Sequence, residues 1–337
     1  MTDFLPLLHR AASGTALTPE EMTSAFEQLL AGSVDPVQAG AFLTALKVRG
    51  ETPGEIAAAA MAMRAAAIQI DGVEGAVDTC GTGGDGANTY NISTAVALVL
   101  AACGVPVAKH GNRAASSMTG TADVFAELGV NIELSPEKAQ ACLEEVGLAF
   151  LFARNHHPAM KFVAPIRSTL GIRTLFNLLG PLTNPAGARR QLLGVYDEAL
   201  VRPIAETLKA LGSKRAFVVH GDDGLDELTV TGGSHVCVLK DGKIEEWVLT
   251  PEDAGLDRHP GEALTGGDAA TNAKALREVL EGKKSAYRDA VVLNTAAGLI
   301  VSGKEDDIEE AARRAEKAID SGAAAKKLEA LIQYTNS

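Results

Sequence analysis

The stretch Cys80-Gly81-Thr82-Gly83-Gly84-Asp85-Gly86 concentrates glycine after a short apolar run, and Thr89, Asn91, Ser93 and Thr94 follow at the opening of a predicted helix. Glycine lets backbone N–H groups come close to an anion, and a helix N-terminus carries partial positive charge. Hydroxyl and amide donors gathered at the same end complete a phosphate-binding arrangement. A tight turn ahead of a Ser/Thr-capped helix uses the same residues, so the loop alone leaves both readings open. It is not a Walker A loop, since no Gly-Lys-Ser/Thr follows. A second polar loop, Lys109-His110-Gly111-Asn112-Arg113 with Ser116 and Ser117, follows the next predicted strand. Lys109 and Arg113 bring positive charge, and small neighbours leave space. Two such loops after consecutive strands point to a cleft for an anionic ligand. His110 alone serves equally well as a structural hydrogen-bonding group. Neighbouring side chains such as His156 and His157 point apart, so His156-His157-Pro158 reads as a helix start rather than a metal site. Arg154 and Arg173 either line the cleft or pair with acids, and Cys80 reads as packing.

These loops need a scaffold. Thr18-Pro19-Glu20-Glu21, Asp35-Pro36-Val37-Gln38 and Thr52-Pro53-Gly54-Glu55 repeat one helix-start signal, each read as a capping box with Pro at the first helical position. Met22, Phe26, Leu29 and Leu30, then Phe42, Leu43 and Leu46, recur at helical spacing. The N-terminal part, residues 1–71, therefore reads as a small helical domain. From Gly72 the pattern changes. Predicted strands at 77–79, 105–108, 148–152, 191–195 and 216–220 alternate with helices such as 93–103 and 136–146. Repeated β-α units predict a mostly parallel sheet covered by helices over residues 72–337. Lys240-Asp241-Gly242-Lys243 between two apolar runs predicts an antiparallel hairpin. Thr265-Gly266-Gly267-Asp268 echoes the first glycine loop, but nothing around it matches.

Composition narrows the function. The net charge of −12 argues against a general nucleic-acid binder, which shows a basic footprint. It leaves room for an anionic small substrate held in a local cationic pocket. Aromatic residues make up 4%, too few for a stacking platform. No apolar run approaches the ~20 residues that span a bilayer, and Met1-Thr2-Asp3-Phe4 lacks a signal-peptide pattern. Cys80, Cys103, Cys142 and Cys237 form no C-x-x-C pair, which points to reduced thiols and a cytoplasmic protein.

Five segments taken together resemble the anthranilate phosphoribosyltransferase family. They are residues 80–95 (CGTGGDGANTYNISTA), 109–129 (KHGNRAASSMTGTADVFAELG), 156–160 (HHPAM), 165–186 (PIRSTLGIRTLFNLLGPLTNPA) and 220–229 (HGDDGLDELT). They run in the family's order across most of the chain, with Thr121 where a Ser is also common. The resemblance implies transfer of the 5-phosphoribosyl group of phosphoribosyl pyrophosphate (PRPP) to the amine of anthranilate, in tryptophan biosynthesis. The products are N-(5-phosphoribosyl)anthranilate and pyrophosphate. It implies a small helical domain, with additions from about 165–185, hinged to a large α/β domain of the nucleoside phosphorylase and phosphoribosyltransferase type. It also implies an active site between the two, a homodimer joined through the helical domains, and magnesium as the working metal.

Roles follow from the same resemblance, one position at a time. Gly81, Gly84 and Asp85 match the loop that touches the donor and shapes the anthranilate side. Thr89, Asn91, Ser93 and Thr94 match donor-binding positions, with Ser93 also a magnesium ligand. Lys109, His110, Gly111, Asn112, Arg113, Ser116, Ser117 and Thr121 match the second donor-binding stretch. Asn112 and Arg167 match anthranilate contacts, and Asp226 and Glu227 match ligands of a second magnesium. No catalytic acid or base stands out, so Lys109 and magnesium would act by stabilising the leaving pyrophosphate. A rival enzyme, pyrimidine nucleoside phosphorylase, is similar in fold and glycine loop, but it usually carries a longer C-terminal extension. The 165–186 segment favours the transferase. A rival of another class is a non-enzymatic nucleic-acid binder on the same fold, against which the acidic balance speaks.

Overall fold

The computed structural model describes residues 3–114 and 118–337. Helices α1 to α4 (Leu5–Ala12, Pro19–Leu30, Pro36–Arg49 and Pro53–Ala65) form the N-terminal bundle. Thr18 and Thr52 make full capping boxes, each hydroxyl accepting from the N–H of a Glu whose carboxylate accepts from the Thr N–H. The third expected box is half made. One Asp35 oxygen accepts from both Val37 and Gln38 N–H groups, and the Gln38 side chain does not reach back. Glu55 does more than cap. It is buried, takes two 2.6 Å bonds from Arg49 and accepts from the Leu17 N–H at 2.9 Å, tying α3 and α4 to the α1–α2 connection.

Seven strands follow: β1 (Val77–Gly81), β2 (Val107–Gly111), β3 (Leu148–Phe152), β4 (Arg190–Gly194), β5 (Arg215–Gly221), β6 (Ser234–Lys240) and β7 (Lys243–Leu249). They form one sheet in the order β3-β2-β1-β4-β5-β6-β7. Pairing is parallel from β3 across to β5, and β6 and β7 add antiparallel through the Asp241-Gly242 hairpin. Between strands lie α5 (Ile92–Ala102), α6 (Thr121–Glu127), α7 (Pro136–Val146), α8 (Ala153–His156), α9 (Met160–Leu170), α10 (Phe176–Leu182) and α11 (Val201–Ala210). Helices α12 to α15 (Ala269–Leu280, Ala286–Ser302, Ile308–Asp320 and Ala323–Asn336) close the chain.

Alternation along the strands builds two cores. Leu192, Phe217, Val219, Val236 and Val238 face one, with α5 and the C-terminal helices. Leu193, Val218, Cys237 and Leu239 face the other, with α11 and the helical bundle. Helices α9 and α10 join that second core through Val163, Phe176 and Leu179, and the Phe176 ring meets Phe26 at 5.2 Å.

Strand β2 runs on through Gly111, past the expected 105–108, because Lys109, His110 and Gly111 pair with β3. Lys109 and His110 are therefore strand residues on opposite faces of the sheet, not loop residues. The strand order reverses at β1, whose neighbours are β2 and β4. Their carboxyl ends open the crevice where open α/β sheets bind ligands. Among the described residues no helix is long and apolar enough to cross a membrane.

Candidate active site

The loops after β1 and β4 are stitched together. The Thr82 N–H donates to the Gly194 carbonyl at 2.9 Å, and the Tyr196 N–H donates to the Thr82 hydroxyl at 3.1 Å. The segment after β5 crosses both. The Gly83 N–H donates to Asp226 Oδ2 at 2.6 Å, and the Ser93 N–H donates to Glu227 Oε1 at 3.2 Å. This close crossing requires glycine at 81 and 194, since a Cβ at either would strike Asp226. Two acids thus become the floor of the glycine loop and the helix opening, across 143 residues for Asp226 and Gly83 and 134 for Glu227 and Ser93.

Their environment raises both carboxyls. Burial and then repulsion from Asp85 push Asp226 up to about 6, against the Gly83 N–H. Burial and then Asp226 push Glu227 up to about 8, opposed by Lys109 and the Ser93 N–H. Acids drawn together in this way make an excess of negative charge that a hard divalent cation would relieve, and Ser93 adds a hydroxyl. Among the described residues no three His, Cys, Asp or Glu side chains could hold a metal unaided. Magnesium keeps several waters and takes substrate phosphates as ligands, so two acids and a hydroxyl are a donor set that fits it.

Lys109 is 1% exposed, and its ammonium donates to the Thr79 carbonyl at 2.5 Å. Burial lowers its pKa, while Asp78, Cys80, Glu227 and Asp226 oppose that shift. Its charge acts through space on Glu227 and Asp226, with no carboxylate oxygen within 4 Å among the described residues. On the opposite face, His110 Nδ1 lies 3.0 Å from the Gly180 carbonyl of α10, and its ring lies 5.1 Å from His157. Burial and His157 push His110 down to about 3, so the ring is neutral and Nδ1–H donates. Among the described residues its Nε2 has no protein partner. Burial drives the Cys80 thiol well up, which fits packing rather than nucleophilic chemistry.

In the second loop Arg113 is paired with Asp123 at 2.8 Å, and the Arg113 N–H donates to Asn112 Oδ1 at 2.8 Å. The Asp123 carboxylate also accepts from the Ala114 and Gly120 N–H groups, which shapes the loop ahead of α6. The Thr94 and Thr121 hydroxyls meet at 3.4 Å, joining the two helix openings. Ser116 and Ser117 lie outside the described residues.

Arg167, on α9, is half-buried, with its guanidinium carbon 5.6 Å from the Phe176 ring centroid. Among the described residues it has no carboxylate within 4 Å and no side-chain hydrogen bond. Burial lowers its pKa. A half-buried cation with no anionic partner among the described residues is poised for an anion. Arg173, left open in the sequence, bonds the Gly84 carbonyl and stacks 4.2 Å over Tyr196. It links the α9–α10 connection to the glycine loop. His156 is also structural in its contacts. It exchanges bonds with Ile68, both at 2.8 Å, where the chain leaves the bundle.

The helical bundle domain of a glycosyl transferase family matches residues 5–67, and that family's a/b domain matches residues 73–325. Fold and cleft thus define a two-part glycosyltransferase. The chain is 55% identical over 336 residues to anthranilate phosphoribosyltransferase of Parvibaculum lavamentivorans, covering 100% of this chain and 98% of the relative. It is 51% identical to that of Rhodopseudomonas palustris, covering 100% and 99%. Among solved structures, the enzyme from Thermus thermophilus is 46% identical with a TM-score of 0.94, covering 98% of this chain and 99% of the other. The enzyme from Saccharomyces cerevisiae in complex with PRPP and Mg is 29% identical with a TM-score of 0.91, covering 99% and 98%. The chain belongs to the anthranilate phosphoribosyltransferase family.

Proposed function

We infer that this chain transfers the 5-phosphoribosyl group of PRPP to the amine of anthranilate, giving N-(5-phosphoribosyl)anthranilate and pyrophosphate, in tryptophan biosynthesis. Full-length identity of 51–55% to relatives of that name carries the reading. In the reaction the C1–O bond to pyrophosphate breaks, the anthranilate nitrogen bonds to C1, and the amine proton leaves to solvent. The aromatic amine is neutral near pH 7, so no strong base is needed. Magnesium is the cofactor and supplies positive charge that neutralises the departing pyrophosphate. Ser93 would hold one magnesium, and Asp226 and Glu227 would hold a second. Backbone N–H groups at 84–86 and the donors at Thr89, Asn91, Ser93 and Thr94 bind the anionic donor. Arg167 takes the anthranilate carboxylate, with Asn112 beside it. Catalysis is mostly positioning and leaving-group stabilisation.

The bundle of residues 1–71 with about 165–185 forms the small domain of this reading, and 72–337 the large one. Val37 and Val48 on α3 are 79% and 83% exposed, which supports a homodimer through the helical surfaces of a cytoplasmic enzyme. The charge balance supports the absence of a nucleic-acid partner. Loss of anthranilate fluorescence on adding protein, PRPP and magnesium tests the activity. Phosphate-dependent cleavage of thymidine, with no loss of anthranilate, would replace this reading by the nucleoside phosphorylase one.

A further inference from the structure

Thr265-Gly266-Gly267-Asp268 resembles a glycine loop yet follows no strand end in the sheet. It lies against the exit of the first glycine loop instead. The Gly266 N–H donates to the Asn88 carbonyl at 2.9 Å, the Tyr90 N–H donates to the Leu264 carbonyl at 3.1 Å, and Thr89 pairs antiparallel with Thr265. A Cβ at Gly266 would lie 2.7 Å from the Thr89 carbonyl, so only glycine allows this contact. Asp268 then caps α12 by accepting from the Thr271 N–H at 2.8 Å, which fixes Asn272 in the first turn.

Asn272 is 1% exposed, and every polar contact of its amide is defined. Its Oδ1 accepts from the Gly267 N–H at 2.7 Å. That backbone donor decides which end of the amide is oxygen. Its Nδ2 therefore donates to Asn91 Oδ1 at 2.9 Å and to the Thr119 hydroxyl at 3.0 Å. The Thr119 hydroxyl donates to Asn91 Oδ1 at 3.2 Å. Two donors on the Asn91 oxygen leave its NH2 end for a ligand, and among the described residues that nitrogen has no protein acceptor. From the other side the Tyr287 hydroxyl donates to the Asn91 carbonyl at 3.1 Å, and the Tyr90 and Tyr287 rings stack at 4.5 Å.

We propose that Asn272 is a positioning residue for phosphoribosyl transfer, holding the Asn91 carboxamide so that its N–H donors, not its oxygen, face the anionic donor. The proposal rests on the reading of Asn91 as a PRPP contact. An unheld asparagine can turn its amide over, and a diphosphate that meets the carbonyl end meets a repulsive dipole. Asn272→Asp is the sharpest perturbation. It replaces the donating NH2 by an oxygen facing Asn91 Oδ1, so the Asn91 amide must turn inward to donate to it.

The experiment measures steady-state kinetics with PRPP and anthranilate varied in turn, and binding of magnesium–PRPP by calorimetry. The variants are Asn91→Ala, Asn272→Asp, Asn272→Ser and the double Asn91→Ala/Asn272→Ser, each with a thermal melt. If Asn272→Asp does not fold, Asn272→Ser carries the test, since it also removes both donors to Asn91 and Thr119. Losing one charge-assisted bond predicts a fall in kcat/KM for PRPP of about tenfold or more, with the KM for anthranilate within about twofold. Weaker magnesium–PRPP binding should accompany it. In the Asn91→Ala background Asn272→Ser should add nothing. Multiplying losses, or equal losses for both substrates with a lowered Tm, would overturn the positioning role while leaving Asn91 as a contact. An Asn91→Ala variant with unchanged PRPP kinetics would overturn the reading of Asn91 and this proposal with it.

Discussion

Replacing Arg167 by alanine separates the acceptor side of the reaction from the donor side. The guanidinium is half-buried, rests on the Phe176 ring and has no carboxylate within 4 Å among the described residues. Removing it therefore strands no buried acid, and the bundle should lose little stability. A hydrogen bond to a charged group is worth about 1.5–3 kcal/mol, which is roughly 10- to 150-fold in kcat/KM. That loss should fall on anthranilate, with the KM for PRPP nearly unchanged, because among the described residues Arg167 makes no bond to either donor loop. Arg167→Lys should recover only part of it, since an ammonium cannot reproduce the planar two-pronged fit to a carboxylate. The assay is loss of anthranilate fluorescence with each substrate varied in turn, beside a thermal melt of each variant. Equal losses for both substrates together with a clearly lower Tm would show that Arg167 braces the fold, and would remove it from the anthranilate site.

Asp226→Asn combined with Glu227→Gln should abolish most turnover at limiting magnesium while keeping the fold, because the charge excess that calls for a cation is gone; wild-type activity at low magnesium would rule these acids out as ligands. Gly194→Ala should lower activity strongly and reduce Tm, because its Cβ would collide with Asp226 and lift the acidic floor from the glycine loop; a fully active, equally stable variant would contradict the close crossing. His110 stays neutral in the fold, pushed down to about 3 by burial and His157, against about 6.5 in the unfolded chain. The unfolded chain then binds the proton first, so stability is unaffected above pH 6.5. Below that it falls towards pH 3, by about 1.4 kcal/mol per pH unit from this residue. Urea unfolding of His110→Asn should show a shallower acid slope than wild type, and identical slopes between pH 4 and 7 would refute this account.

Much of the scaffold was legible because its signals are local. Thr18, Asp35 and Thr52 announce their helices through bonds that span three residues, and Asp241-Gly242 announces a hairpin through the turn it needs. The alternating β and α segments imply a mostly parallel sheet whatever the details of its order. The glycine loop and the helix opening at Asn91 mark an anion site by residue type alone.

What the chain order could not supply is proximity. Asp226 meets Gly83 and Glu227 meets Ser93 only because the sheet order sets β1 beside β4 and β4 beside β5, and because Gly81 and Gly194 leave room for the crossing. Residue type marks Lys109 only as a cation near the glycine loop; its strand pairing with β3 buries it in the sheet, within electrostatic reach of Glu227 and Asp226. Arg173 and Arg167 carry the same charge on neighbouring stretches of chain, yet one is bound to the Gly84 carbonyl and the other, among the described residues, rests on the Phe176 ring with no hydrogen-bonding partner. Asn272 reaches Asn91 across 181 residues. Helix caps, turns and hydrophobic periods are settled within a few residues, so the elements and the kind of ligand can be read along the chain. The pairing of side chains depends on which strands lie side by side and how closely their loops can pass, and that emerges only once the chain is folded.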